Sequence, residues 1–260
     1  MIMREKLKLI GVAVIKSGIV TWILLFGIWW LASSFTTPDF LPNPYVSLLG
    51  LIDLAKSGKL WEHVSISLYR VAFGWGRALL IGIPLGLLIG RFKFINWLVE
   101  PFINFFRFVP AIGFLTLFLM WFGIGEESKR VLITYAALFP IIINTVAGVN
   151  GIDPIKYQAA ESLGANRVQS FFTVTIPGSV PSVLTGVRLG LSGAIISIVG
   201  AEMLAANEGL GYLIYTSRLY FKTDWIFVGI FVLGLLGFIA DRLLRFGASR
   251  VLKRYGVAKA

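Results

Sequence analysis

Two stretches of this chain, 17–38 and 131–152, run for 22 residues each without a formal charge. An α-helix rises 1.5 Å per residue, so about 20 apolar residues cross a hydrocarbon core of about 30 Å. The rest of the chain repeats the theme at lower purity: 57% of its 260 residues are hydrophobic and only 14% are charged. Soluble domains carry about 25% charged residues, so the sequence describes a polytopic membrane protein. The formal net charge of +11 would suggest nucleic acid in a soluble protein; here its distribution matters more than its sum. With no cysteine, disulfides and thiolate metal sites are excluded, and the single His63 cannot build a histidine cluster.

Residues 1–17 carry Arg4, Lys6, Lys8 and Lys16 and read as a cytoplasmic segment before the first span. A cleaved signal peptide is the rival reading. Against it, the apolar run exceeds the usual 7–15 residues of such a core, and Trp22, Trp29 and Trp30 resemble interfacial anchors. A loop over 36–63 follows, held extended by Pro38, Pro42 and Pro44, with a short surface helix expected over 45–56.

The second span is expected over 64–90. There Gly74, Ala78, Gly82, Gly86 and Gly90 fall every four residues and make a small-residue stripe for close helix packing. Arg70 and Arg77 lie seven apart on nearly one face, and Pro84 is placed to kink the helix. Arg91 and Lys93 mark a turn. The third span, 97–123, is broken at Pro110, and a polar turn over 123–130 leads to the fourth, 131–152, with Pro140 and Asn144. The fifth, 184–205, is framed by Arg188 and Glu202 and has Gly186, Gly190 and Gly193 on one face. An outer loop over 206–224 precedes the sixth span, 225–241, and a basic tail.

Basic residues test this topology. Fourteen fall on segments assigned to the inside: Arg4, Lys6, Lys8, Lys16, Arg91, Lys93, Lys156, Arg167 and the six of the tail from Arg242 to Lys259. Six fall outside (Lys56, Lys59, Lys129, Arg130, Arg218, Lys222), and Arg70, Arg77, Arg107 and Arg188 lie in spans. The asymmetry places both termini in the cytoplasm.

One internal stretch breaks the apolar pattern. In residues 153–181, Asp153 is a good N-cap and Pro154 suits a first helical position. Gly164 falls where a left-handed residue would end the helix. Asn166 and Gln169 then resemble a capping box opening a second short helix to about 174, closed by Pro177 and Pro181. By the charge asymmetry this pair faces the cytoplasm. It reads either as an ordinary loop with two surface helices or as a docking element whose Ala159 and Ala160 allow close approach to a soluble partner.

The run QAAESLGANRVQSFFTVTIPGSVPSVLTGVRLGL resembles the EAA signature of binding-protein-dependent importer permeases, the membrane subunits of ATP-binding-cassette (ABC) uptake systems. The family pattern falls here on Gln158, Ala159, Ala160, Gly164, Ile176 and Pro177, with Gln158 in place of the leading Glu and Glu161 as a partial substitute. LPNPYVSLL, PFINFFRFVPAIGFLTLFLMWFGIGEESK, VGAEMLAANEGLGYLI and TDWIFVGIFVLGLLGFIADRLLR are similar to the sulfonate, taurine and nitrate branch. The resemblance implies an all-α membrane protein with the type I ABC importer permease architecture. Six transmembrane helices would fill 18–246, with coupling helices at about 153–176 and a basic cytoplasmic tail over 247–260. It also implies a homodimer in a prokaryotic inner membrane, two ATPase subunits that hold ATP and Mg, an extracytoplasmic solute-binding protein, and no cofactor in this chain. Gln158, Ala159, Ala160, Glu161, Gly164, Ala165 and Pro177 would couple it to the ATPase.

For the solute, Arg70, Arg77 and Arg188 could line a path for a small oxyanion such as a sulfonate, taurine, nitrate or bicarbonate. The reading preferred on the expense of buried charge is that they pair structurally, with Glu202 an available carboxylate that is otherwise a candidate gate. A neutral or aromatic solute such as a thiamine precursor is the alternative within the class. An ion-coupled secondary transporter would want midplane carboxylates and often an inverted repeat, of which only Glu202 is a candidate. A membrane enzyme would need a nucleophile–base pair or metal cluster, and no phosphate-binding GxxxxGK[ST] loop occurs. The chain is therefore expected not to be an enzyme, with ATP hydrolysis in a separate subunit.

Overall fold

The computed structural model describes residues 18–254, all helix and turn with no strand among them. The basic segment 1–17 and residues 255–260 of the tail lie outside the described residues. The chain divides into two compact units, one of residues up to Trp61 with Leu213–Ile230, the other of Glu62–Tyr212 with residues from Phe231 onward.

In the first unit, α1 (Ile19–Ser33) and α2 (Pro44–Lys56) are the main helices. Asn43 caps α2 by accepting from the Val46 N–H at 2.8 Å, and Pro44 occupies the first turn, where a missing N–H costs nothing. Trp29 Nε1 donates to the Pro42 carbonyl at 2.9 Å, and its ring stacks on Phe227 with centroids 5.3 Å apart.

The second unit carries most of α3 (Lys59–Arg91), then α4 (Lys93–Phe106), a 3-10 turn (Ala111–Phe114), α5 (Leu115–Phe122) and α6 (Glu126–Asn150). After them come α7 (Pro154–Ser162), the short α8 (Arg167–Ser170), a π turn (Phe171–Thr175) and α9 (Ile176–Ala205). The helices α10 (Leu210–Leu219) and α11 (Thr223–Arg254) complete the chain. α6 is the axis of this unit. Its Ile133, Ile141, Thr145 and Val149 fill the stripe of α3, so closely that a Cβ at Gly86 would lie 2.6 Å from Thr145 Cβ and one at Gly90 2.6 Å from Val149 Cβ. Ala78 of the same stripe is fully buried. α6 also meets α9, where a Cβ at Gly190 would lie 2.8 Å from Ile141, the side chain that packs against α3 as well, and one at Gly193 2.7 Å from the Ala136 carbonyl. Lipid offers no hydrophobic drive for helix association, so this backbone proximity supplies dispersion contact instead.

Among the described residues four helices are long and apolar enough to cross a membrane: Lys59–Arg91, Glu126–Asn150, Arg167–Ala205 and Thr223–Lys253. A fifth span results if Lys93–Phe106 and Ala111–Phe122, bent by 92°, count together. α1 is apolar, but its 15 described residues reach about 22 Å, short of the core thickness.

The structure corrects several expected boundaries. Residues 126–130, expected as turn, are the first turns of α6, because Glu126 and Glu127 place carboxylates at a helix N-terminus where the dipole favours them. The outer loop over 206–224 contains α10, whose first N–H groups donate to the Ser67 hydroxyl and the Glu202 carboxylate, both on other helices. Pro177 and Pro181 close nothing: residues 167–205 form one continuous helical run. In a regular helix the Pro177 ring would clash with the carbonyl of Thr173; the π turn falls over that carbonyl and opens the spacing.

Candidate functional site

Arg70 and Glu202 meet in the interior, with side chains 2% and 0% exposed. Arg70 Nη1 donates to Glu202 Oε1 at 2.8 Å and to the Glu208 carbonyl at 2.7 Å. Its Nε and Nη2 grip Glu126 at 2.8 and 2.6 Å in a two-pronged pair, and Lys129 adds a contact to Glu126 at 2.9 Å. Ser67 Oγ donates to Glu202 at 2.8 Å and accepts from the Leu210 N–H at 2.8 Å. The Gly211 N–H donates to Glu202 at 2.9 Å. The two cations balance the two carboxylates, and Glu202 and Ser67 together cap α10. Gly209, at φ 118°, lets the backbone pass the carboxylate; a Cβ there would sit 2.2 Å from Glu202 Cδ.

The other candidate arginines also have carboxylates. Arg77 pairs with Glu127, and Arg188 Nε lies 2.9 Å from Asp241 Oδ1, with Arg245 on the other oxygen at 2.8 Å. Glu202 thus serves Arg70 and neither Arg77 nor Arg188. Arg107, the fourth arginine of the spans, is exposed and has no carboxylate within ion-pair distance among the described residues. It lies at the 92° bend, its guanidinium 4.4 Å from the Phe108 ring centre. Tyr135 of α6 holds the bend by donating to the Phe106 carbonyl at 2.7 Å. Between the bend, α6 and α9 is a cleft of about 470 Å³. The α6 face that borders it at Ala136, Phe139 and Pro140 continues through Ile143 and Val146 to Asn150 along a second cleft of about 180 Å³, where Asn96, Glu100 and Asn104 supply polar groups.

The element at 153–175 is built by local hydrogen bonds. Asp153 accepts from the Ile155 N–H at 2.9 Å. Gly164, at φ 82°, closes α7 in a Schellman turn, its N–H donating to Glu161 O at 2.9 Å and that of Ala165 to Ala160 O at 3.0 Å. Asn166 and Gln169 exchange side-chain–backbone bonds at 2.8 and 2.9 Å. Tyr157 joins α7 to the π turn through Thr175 at 3.1 Å, and Arg91 from the end of α3 covers its ring at 4.8 Å. Gln158, Ala159 and Glu161 are exposed, Ala160, Ala165 and Pro177 half-buried. Ile155, Val168, Phe172 and above all Leu163, 89% exposed, present apolar surface around them.

The family described as binding-protein-dependent transport system inner membrane component matches residues 82–253. The chain belongs to this family. TauC, the taurine transport system permease protein of Escherichia coli (strain K12), is 34% identical over 243 residues, covering 91% of this chain and 88% of that protein. The putative aliphatic sulfonates transport permease protein SsuC of Bacillus subtilis (strain 168) is 34% identical over 82% of this chain and 77% of its own length. ThiX, the formylaminopyrimidine transport permease protein of Halalkalibacterium halodurans, is 30% identical over 84% of this chain and 87% of its own. A chain of the inward-facing MetNI methionine ABC transporter superposes with a TM-score of 0.61 at 20% identity, covering 73% of this chain and 92% of that one, so the fold is shared. The permease is thus a multi-pass membrane protein of an ABC importer, of the branch that holds the taurine and sulfonate permeases.

Two features of the permease escape sequence reasoning. The exposed apolar residues of the 153–175 element carry a signal in hindsight, since Leu163 and Phe172 interrupt a polar segment. Arg107 does not stand out from the other span arginines until their partners are seen.

Proposed function

We propose that the permease forms the translocation pathway of an ATP-driven importer for a small anion of the sulfonate or taurine type. Each copy crosses the membrane six times with both termini in the cytoplasm, α1 belonging to the first span and the bent pair forming the third. Two copies form the path, two ATPase subunits bind ATP and Mg and dock on the element at 153–175, and an extracytoplasmic binding protein delivers the solute. The observation that carries this reading is that element itself: locally rigid by its caps, yet ringed by exposed apolar side chains. Isolated exposed apolar residues are ordinary; four of them on one short capped polar element fit a partner groove. The unbroken helical run from Arg167 to Ala205 gives motion of the element a stiff lever into the membrane. ATP binding in the partner supplies the differential free energy that biases the two states.

The names of TauC and SsuC support the anion. A neutral or aromatic solute is the second reading, supported by the ThiX relative and by the carboxylates that occupy Arg70, Arg77 and Arg188. An ion-coupled secondary transporter finds less support, because Glu202 is engaged on every side. The test is reconstitution of the permease with its ATPase and binding protein in liposomes, with uptake of ethanesulfonate, taurine, nitrate and formylaminopyrimidine measured with and without ATP. ATP-dependent uptake of a sulfonate is expected. Uptake of the pyrimidine alone would overturn the anion, and uptake without ATP the whole assignment.

A further inference from the structure

The four arginines that the sequence places in the spans divide three to one. Arg70, Arg77 and Arg188 have carboxylates on them, whereas among the described residues Arg107 has the Phe108 ring and no carboxylate. A cation at membrane depth is costly, by about 2.5–3.5 kcal/mol on insertion scales, unless it meets water, a counter-ion or a polar partner. The backbone around Arg107 carries the same message. It leaves the helix at Arg107 and turns through 92° before Ala111. Non-helical backbone is tolerated at that depth where it is covered by protein or borders a wet cavity. Here it borders a cleft of about 470 Å³, within the usual range of small-ligand sites of about 300–1,000 Å³.

We infer that Arg107 is the anion-contact residue of the pathway, and that its cleft takes a small organic anion with an oxyanion head and a short apolar tail. This rests on the importer reading above and narrows its substrate class. The guanidinium offers a planar fork of N–H donors that matches two oxygens of a sulfonate. Beside it the cleft is largely apolar, walled by Ile112 and Phe139, with Ser197 and Tyr135 as its hydroxyl-bearing neighbours. Both hydroxyls already donate to carbonyls, Ser197 to Ala194 at 3.0 Å and Tyr135 to Phe106, which leaves Arg107 the free donor. Such a wall suits an alkyl tail and gives nothing to nitrate or bicarbonate, which have none.

The chain has no cysteine, so Arg107→Cys would be the one thiol of the permease. In the reconstituted importer this variant is expected to lose about 10- to 100-fold in kcat/KM for ethanesulfonate, the worth of a charge-assisted hydrogen bond, through a raised KM. Treatment with aminoethyl methanethiosulfonate, which returns an ammonium to the position, should recover much of the loss; the neutral methyl reagent should not. Arg107→Lys, which keeps the charge but not the fork, should retain uptake between that of Arg107→Cys and the parent, and Ser197→Leu, which fills the cleft, should impair ethanesulfonate more than nitrate. Size-exclusion chromatography checks that each complex is assembled. Wild-type ethanesulfonate KM in Arg107→Cys, or equal recovery with the neutral reagent, would overturn the role of Arg107 while leaving the importer reading intact. A wild-type importer that carries no sulfonate would overturn both.

Discussion

Glycine does opposite work in the membrane seam and in the element at 153–175. In the seam between α3 and α6, Gly86 and Gly90 are required by volume: their missing Cβ atoms would lie 2.6 Å from Thr145 and Val149. At Gly164 a Cβ would meet nothing within 4 Å, and the requirement is the sign of φ, 82°. The seam is held by side chains distant in sequence, the element at 153–175 mostly by hydrogen bonds a few residues long. One region therefore stores the stability of the permease, and the other keeps its own shape while its apolar side chains stay exposed. Substitutions should separate along the same line.

The largest loss of stability is expected from Arg70→Ala. It leaves Glu202, whose side chain is fully buried, without a cation, and breaking such a pair costs about 3–5 kcal/mol. Thermal unfolding of the purified permease in detergent should fall markedly. The double variant Arg70→Met/Glu202→Gln should recover much of the loss, because removing both charges also removes the orphaned one. An Arg70→Ala protein as stable as the parent would mean that the cluster is wetter than its geometry implies.

Next comes the seam. Gly86→Val should cost about 1–3 kcal/mol by overpacking against Thr145 and the Ile142 carbonyl 3.1 Å away, again read as a lowered melting temperature. Gly76, on the same helix with open space at its Cβ, is the control: Gly76→Ala should not destabilise, since alanine favours the helix by about 1 kcal/mol. Equal losses at the two positions would remove the distinction between stripe and surface.

How much of this could be read beforehand follows from the range of each interaction. A spacing of four between small residues is local, so the stripe at 74–90 is visible in the sequence; that α6 rather than another helix faces it is not. The caps at Asp153 and Asn166 involve residues two and three apart, and Gly164 ends α7 by a local turn, so both helix starts and the end of α7 could be placed. The element's exit could not, because the two prolines read as stops while the π turn absorbs them into a continuous helix. Arg70 finds Glu126 and Glu202 across 56 and 132 residues, which no local pattern encodes. For the same reason Arg107 could not be told from its paired counterparts. α10 was hidden because its N-terminal partner, Glu202, belongs to another helix.

At the projecting element the order of effects inverts. Gly164→Val should cost about 1–2 kcal/mol, the penalty for a side chain at positive φ, confined to the Schellman turn. Uptake and the stimulation of ATP hydrolysis should both fall, because the turn sets the angle between α7 and α8. Normal uptake with undiminished stimulation would remove the docking role of the turn.

The smallest effect on stability, and the sharpest test of the division, is expected from Leu163→Asp. The side chain is 89% exposed, and such surface changes usually stay within about 0.5 kcal/mol. The melting temperature should therefore be that of the parent, and the caps on either side are untouched. If Leu163 is the apolar anchor of a docked ATPase, a buried anchor worth about 2 kcal/mol corresponds to a loss of about 30-fold in affinity for that subunit. Co-purification of the ATPase should fail while the permease itself remains folded and monodisperse. A carboxylate that leaves both stability and co-purification unchanged would place the partner's contact elsewhere on the element. A carboxylate that lowered the melting temperature would show that Leu163 is covered by the permease's own membrane assembly, and the projecting element would then belong with the seam.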